Sequence, residues 1–200
     1  MKVYMLKDVE SLAGKVEKLL NNKEKRQEIY NKVTNTGSQP ARLYGTPKIH
    51  KSKDNPPYRP ILSMTNTYNT NLALWLDKIL KPHIPTHKSV KDTFEFCQKI
   101  KQINLPAEYF LVSYDVRSLF TNIPINHTIE YICETILRDK TLPISKNTLK
   151  YLLEQTCRNI VFQFNGELYV QFEGQSMGSN LAPTMAAFAM NYVENQMCSS

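Results

Sequence analysis

Hydrophobic and polar positions change period several times along the chain, and each change predicts an element. Asp8 to Val33 is charged, with Leu12, Val16, Leu19 and Leu20 at helical spacing, which predicts a helix with one usable apolar face. Thr34-Asn-Thr-Gly-Ser-Gln-Pro40 breaks that pattern and reads as a linker. Ala41 to Ser63 is extended, because Pro47, Pro56, Pro57 and Pro60 exclude a helix. The turn-rich middle, Lys51 to Pro57, joins two strands into a hairpin with a basic tip. Thr70 to Lys81 carries Leu72, Leu76, Ile79 and Leu80 on one helical face and stops at Pro82.

Further along, Ser89-Val-Lys-Asp92 resembles a capping box with Asp in place of Glu. It opens a helix whose Val90, Phe94, Cys97 and Ile100 share a face. Tyr109 to Tyr114, bounded by Pro106, is a run of aromatic and branched residues that reads as a short buried strand. Asn126 is placed to cap a helix carrying Ile129, Ile132, Cys133 and Ile136, and Ser145 to cap one carrying Leu149, Leu152 and Leu153. Ile160–Phe164 and Leu168–Phe172 flank Asn165-Gly166, a pair that accepts the positive φ values of a type I′ hairpin turn. Gly174 to Ser179 is a loop, and Leu181 to Met197 an alanine-rich helix with Pro183 in its first turn. The expected fold is α+β, with helices packed on one face of a small antiparallel sheet.

Composition narrows the class. Two hundred residues, 42% hydrophobic and 22% charged, suit one domain or two small lobes. No run approaches the ~18 apolar residues of a membrane span, and the N-terminal Met-Lys-Val-Tyr-Met-Leu-Lys-Asp is too polar for a signal peptide. An intracellular protein, nuclear or cytoplasmic and not secreted, with no membrane partner is expected. The four cysteines, Cys97, Cys133, Cys157 and Cys198, contain no Cys-x-x-Cys pair. Three fall on apolar faces of predicted helices, so they are expected to be reduced core residues.

Charge points to a partner. The net charge is +7, and the excess gathers in Lys48-Ile-His-Lys-Ser-Lys53, in Arg42 and Arg59, and between Lys78 and Lys101. Clustered cations attract phosphates and release their counterions, so a polyanion such as nucleic acid is the natural partner. Asp115, at the end of the predicted apolar strand, is placed to hold a hard cation through oxygen. An aspartate that only starts the next turn fits the same spacing.

Three segments in order decide between these. They are Leu43-Tyr-Gly-Thr-Pro-Lys-Ile-His-Lys51 with Tyr58-Arg-Pro-Ile-Leu-Ser63, then Ser113-Tyr-Asp-Val-Arg-Ser-Leu-Phe-Thr-Asn-Ile-Pro124, then Gly174-Gln-Ser-Met-Gly-Ser-Asn-Leu-Ala-Pro183. Together they resemble a reverse transcriptase, most closely the Penelope-like retroelement branch, which is akin to telomerase. The resemblance runs from about Arg42 to Glu194. It implies a right-handed polymerase fold. Residues 1–40 would be a helical extension and linker, 41–106 a fingers-like region with the basic hairpin, and 107–200 a partial palm.

The resemblance also assigns roles. Asp115 would be the first palm carboxylate, binding two Mg²⁺ ions together with an aspartate of a later motif, with the Val116 carbonyl completing the coordination. Two metals would stabilise the charge that develops on the attacking and leaving oxygens. Phe120 matches the steric gate that excludes a 2′-hydroxyl, the alternative being ordinary core packing. Arg59 matches the fingers arginine on the incoming triphosphate, with Lys48 and Lys51 adding charge there. Gln175, Met177 and Gly178 fall in the loop that supports the nascent base pair. Met177 stands where many reverse transcriptases have glutamine, and Asn180 where proline is expected. Arg42 and Lys53 would contact nucleic acid, although a solvated loop tip suits Lys53 equally. The implied partners are an RNA or DNA template–primer and deoxynucleoside triphosphates.

The family's aromatic-x-Asp-Asp motif does not occur in the 200 residues, which contain no Asp-Asp pair. One carboxylate cannot hold two metals in the needed geometry, so little or no polymerase activity is expected of this chain alone. Two readings follow: part of an RNA-directed DNA polymerase, or a non-enzymatic nucleic-acid-binding remnant of a retroelement that uses the basic fingers and Tyr44 or Tyr58 for base stacking.

Overall fold

The structure, a computed structural model, describes residues 29, 31–34, 39–86, 89–104, 106–137 and 144–198. The helix face predicted at Leu12, Val16, Leu19 and Leu20, and most of the linker after Thr34, lie outside these residues. Chain order runs β1 (Ala41–Pro47), β2 (Tyr58–Ser63), α1 (Thr70–Leu80), α2 (Thr93–Lys101), α3 (Ile125–Leu137), α4 (Lys146–Cys157), β3 (Ile160–Phe164), β4 (Glu167–Gln171) and α5 (Ala182–Cys198). Short 3₁₀ turns occupy Lys81–His83 and Phe120–Asn122. No helix among the described residues is long and apolar enough to cross a membrane.

Both hairpins predicted from the sequence form. β1 and β2 pair antiparallel from Arg42↔Ser63 to Pro47↔Tyr58, and the Lys48 N–H donates to the Pro57 carbonyl across the loop mouth at 2.9 Å. In the second hairpin Asn165 (φ 50°) and Gly166 (φ 84°) supply the two positive φ values of a type I′ turn. The four strands lie in the order β2-β1-β3-β4. The sheet is mixed, not antiparallel as expected, because β1 and β3 run parallel through Ala41↔Phe162 and Arg42↔Gln163. A parallel pair needs a long crossover, here the helices α1 to α4, and no local pattern in either strand signals such a partner.

Helices bury most of the core. Leu72, Leu76 and Leu80 of α1 meet Ile129, Ile132 and Ile136 of α3, Leu149, Leu152 and Leu153 of α4, and Met185 and Phe188 of α5. Ile29 and Val33 join the same cluster. These residues recur at intervals of three and four, with Leu152 and Leu153 side by side, so one stripe of each helix faces inward. The sheet has its own small cluster of Ala41, Leu62, Met64 and Ile160, flanked by Leu43 and Phe162. Polar ties hold the helices in register: Thr184 Oγ1 donates to Asp77 Oδ1 (2.5 Å), and Tyr131 OH to Asn191 Oδ1 (2.5 Å).

Caps differ in detail from expectation. Ser145 caps α4 as predicted, accepting the Thr148 N–H at 3.2 Å. The α2 cap is Asp92 rather than Ser89: its carboxylate accepts the Glu95 N–H at 2.9 Å, while Glu95 Oε2 accepts the Lys91 N–H at 2.6 Å. That arrangement places Glu95 at the third helical position, where its longer side chain reaches back to the Lys91 N–H; the Ser89 register would put the shorter Asp92 there. α3 begins at Ile125, and the Asn126 side chain accepts from Arg158 instead of capping. No residue of α2 is buried, so its predicted apolar face, with Phe94 and Cys97, is open to solvent.

Candidate functional site

Residues 109–114 form no strand, which corrects the buried strand expected there. They run without ladder pairing among the described residues, and their side chains are exposed, Phe110 and Tyr114 each 82%. Apolar sequence favours burial only where a neighbouring strand or helix offers a surface, and none of the described elements does. Asp115 and Val116 are consequently exposed as well.

The three segments singled out in the sequence nevertheless meet. The Gln175 N–H donates to the Phe120 carbonyl at 2.7 Å, and the Leu62 N–H of β2 donates to the Met177 carbonyl at 2.8 Å. The loop Gly174–Ser179 is thus pinned on one side to the Phe120 turn and on the other to the edge of β2. The second bond also covers an otherwise open strand edge. Glycine makes both approaches possible. A Cβ on Gly174 (φ +67°) would sit 2.3 Å from the Thr121 carbonyl oxygen, and one on Gly178 (φ +119°) would sit 2.1 Å from that of Leu62. No side chain fits either place. Ser176 Oγ adds a third anchor, donating to Gln171 Oε1 of β4 at 2.7 Å.

Strand alternation sorts the hairpin. The register puts Arg42, Tyr44 and Thr46 of β1 on one face with Ser63, Ile61 and Arg59 of β2. Arg59 and Arg42 stand about 13 Å apart on that face, four residues of strand, with exposed Tyr44 between them. Ile61 of the same face lies 3.5 Å from where a Cβ of Gly178 would be, which brings the loop against the arginine-bearing side. Lys51 and Lys53 are exposed in the connection from Lys48 to Pro57, and Lys48 is half-buried. On the opposite face the Tyr58 ring occupies the space above Gly45, whose Cβ would come within 2.9 Å of it.

Other expected site residues are placed as follows. Phe120 is half-buried and packs against the helical core, so it has a structural duty whatever else it does. Gln175 is fully buried, and neither its Nε2 nor its Oε1 finds a hydrogen-bond partner among the described residues. An unsatisfied buried amide costs about 1–3 kcal/mol. Met177 is half-buried and Gly178 exposed. Leu62 and Thr121 were not legible as site residues, because they act through backbone atoms that leave no mark on side-chain pattern.

For metal, the donor chemistry is incomplete. An exposed carboxylate and the adjacent Val116 carbonyl are oxygen donors of the kind Mg²⁺ prefers, yet Mg²⁺ takes a near-octahedral shell. Among the described residues no group of three or more His, Cys, Asp or Glu comes together to hold a metal. These residues do not make up a two-metal site.

The thiols have separate fates. Cys133 and Cys157 are buried as expected, and burial raises both, Cys157 to about 12. Cys97 is exposed, against the expectation of a core position, and the Cys198 side chain lies outside the described residues.

No protein-family profile matches the chain, and no curated protein matches it.

Proposed function

We propose that the chain is the fingers and partial palm of an RNA-directed DNA polymerase of the Penelope-like reverse transcriptase type, which alone binds primer–template and nucleotide phosphates without extending the primer. The observation that carries this reading is the meeting of three segments far apart in sequence, through Phe120 with Gln175 and Leu62 with Met177. A backbone loop held between an arginine-bearing hairpin and the turn after Asp115 suits a nucleotide whose triphosphate meets Arg59 and whose sugar meets Phe120. Arg59 offers a planar fork for phosphate, and Lys48 and Lys51 add positive charge. Arg42 and Lys53 extend the basic surface along the nucleic acid. Asp115 supplies one carboxylate of the pair that holds Mg²⁺ in a complete enzyme, where the ions stabilise charge on the attacking and leaving oxygens.

A second reading, a non-enzymatic nucleic-acid-binding remnant, is favoured by the exposed Asp115, which joins no group of three or more His, Cys, Asp or Glu among the described residues, and by Tyr44 between two arginines on one sheet face. Both readings predict binding of an RNA–DNA primer–template that weakens steeply with salt. They part over a deoxynucleoside triphosphate. In the polymerase reading its presence tightens primer–template binding when the next template base is complementary, and a non-complementary triphosphate has no such effect. Anisotropy titration of the 200-residue chain with both triphosphates tests this. Equal responses to the two would leave only the remnant.

A further inference from the structure

We propose that the cleft between the start of α3, the α4–β3 junction and the end of β4 binds a single unpaired nucleobase. The cleft has a volume of about 440 Å³, within the range of small-ligand sites, and its polar wall is formed by Asn122, Asn126, His127, Arg158 and Asn159, with Phe172 at the rim.

Charge argues against a free anion as the ligand. The Arg158 guanidinium already donates to Asn126 Oδ1 and lies 3.6 Å from Glu154, and Glu173 stands on the same wall. What remains is a set of neutral donors and acceptors. Asn122 spends its Nδ2 on the Arg117 and Ser118 carbonyls (3.0 and 3.2 Å), leaving Oδ1 to accept. Asn126 spends its Oδ1 on Arg158, leaving Nδ2 to donate. Asn159, held at φ 53°, also lines the cleft. Donors and acceptors within one cleft match the mixed edge of a base, which presents both.

An aromatic platform completes the match. Phe172 is 86% exposed at the end of β4, where it fills no core, and a base can stack on such a ring. Thr121 and Gly174 line the cleft and also make the tight contact that anchors the Gly174–Ser179 loop. The cleft is therefore continuous with the candidate site. Assigning the base to the bound nucleic-acid strand rests on the function proposed above, whereas base binding itself does not.

Adenosine, which has no phosphate for the hairpin to hold, separates the two. The ¹⁵N-labelled 200-residue chain is titrated with adenosine and, as control, ribose, while the same samples are tested for primer–template binding. The expected result is saturable shifts at Asn159, Phe172 and Gly174 with adenosine but not ribose. Affinity should fall about tenfold in Phe172→Ala and in Asn159→Gly, the latter keeping the backbone at ease at positive φ. No saturable shift, or an affinity in both variants equal to that of the unsubstituted chain, overturns the proposal even if primer–template still binds. Adenosine binding without primer–template binding upholds the cleft and overturns the polymerase reading instead.

Discussion

The Gln175 N–H donates to the Phe120 carbonyl across 2.7 Å, joining the turn that follows Asp115 to a loop more than fifty residues later in the chain. With the Leu62–Met177 bond, it makes one place out of three separate segments. Two glycines set how closely those segments approach.

Gly174→Ala and Gly178→Ala should therefore be costly, because each Cβ meets a carbonyl oxygen and each φ is strained for an L-residue. A loss of about 2–3 kcal/mol or more is expected for each in urea unfolding. Gly166→Ala is the control: its φ is also positive, but nothing lies within 4 Å, so a loss of only about 1–2 kcal/mol is expected. Equal losses at all three would mean the loop is not pressed against its neighbours.

Arg59→Ala should weaken primer–template binding about tenfold and lower the slope of log affinity against log salt by about 1, as expected for one phosphate contact removed. Anisotropy at several KCl concentrations reads both. Arg59 is exposed on its strand, so the thermal midpoint should hardly move. A drop in affinity with an unchanged slope would point to a changed fold rather than a lost contact.

Phe120→Ala should lose about 2 kcal/mol of stability, less than a fully buried phenylalanine, because the ring is half-buried against the helical core. If the ring also serves as the steric gate, the same substitution in a chain that can extend a primer relaxes discrimination against ribonucleotides. Single-nucleotide incorporation of matched ribo- and deoxyribonucleotides measures this. Unchanged discrimination would leave Phe120 a core residue only.

Burial raises the Cys157 thiol from 9.0 to about 12. The folded state holds that proton more tightly than the unfolded state, so this contribution is complete below pH 9 and is lost as pH rises toward 12. Each pH unit in that window costs up to about 1.4 kcal/mol. Urea stability should fall from pH 9 to pH 11, and fall less steeply in Cys157→Ala. At pH 8 an alkylating reagent mapped by mass spectrometry should label exposed Cys97 well before Cys133 or Cys157. Parallel pH slopes in wild type and variant would contradict the buried, proton-holding thiol.

Local patterns were the most legible part of the fold. Asn165-Gly166 announced a type I′ hairpin, Ser145 its helix, and the leucine spacing from Leu72 to Leu80 the buried stripe of α1. Long-range pairing was not legible. Nothing in Ala41 or Arg42 marks a parallel partner at Phe162 and Gln163. The apolar runs at Tyr109–Tyr114 and along α2 promised burial that no described neighbour provides, since hydrophobicity states a preference and not a partner. In the candidate site, Gly178 was legible as part of the loop, but Thr121 and Leu62, the residues that Gly174 and Gly178 approach, contribute only backbone.

If Asp115 is a palm carboxylate, primer extension depends on it. The chain, continued through the codons that follow Ser200 in frame, is given an RNA template, a DNA primer, deoxynucleoside triphosphates and Mg²⁺. Extension that Asp115→Asn abolishes, with primer–template binding unchanged, is the predicted result. No extension, or extension indifferent to Asp115→Asn, would remove Asp115 from that role.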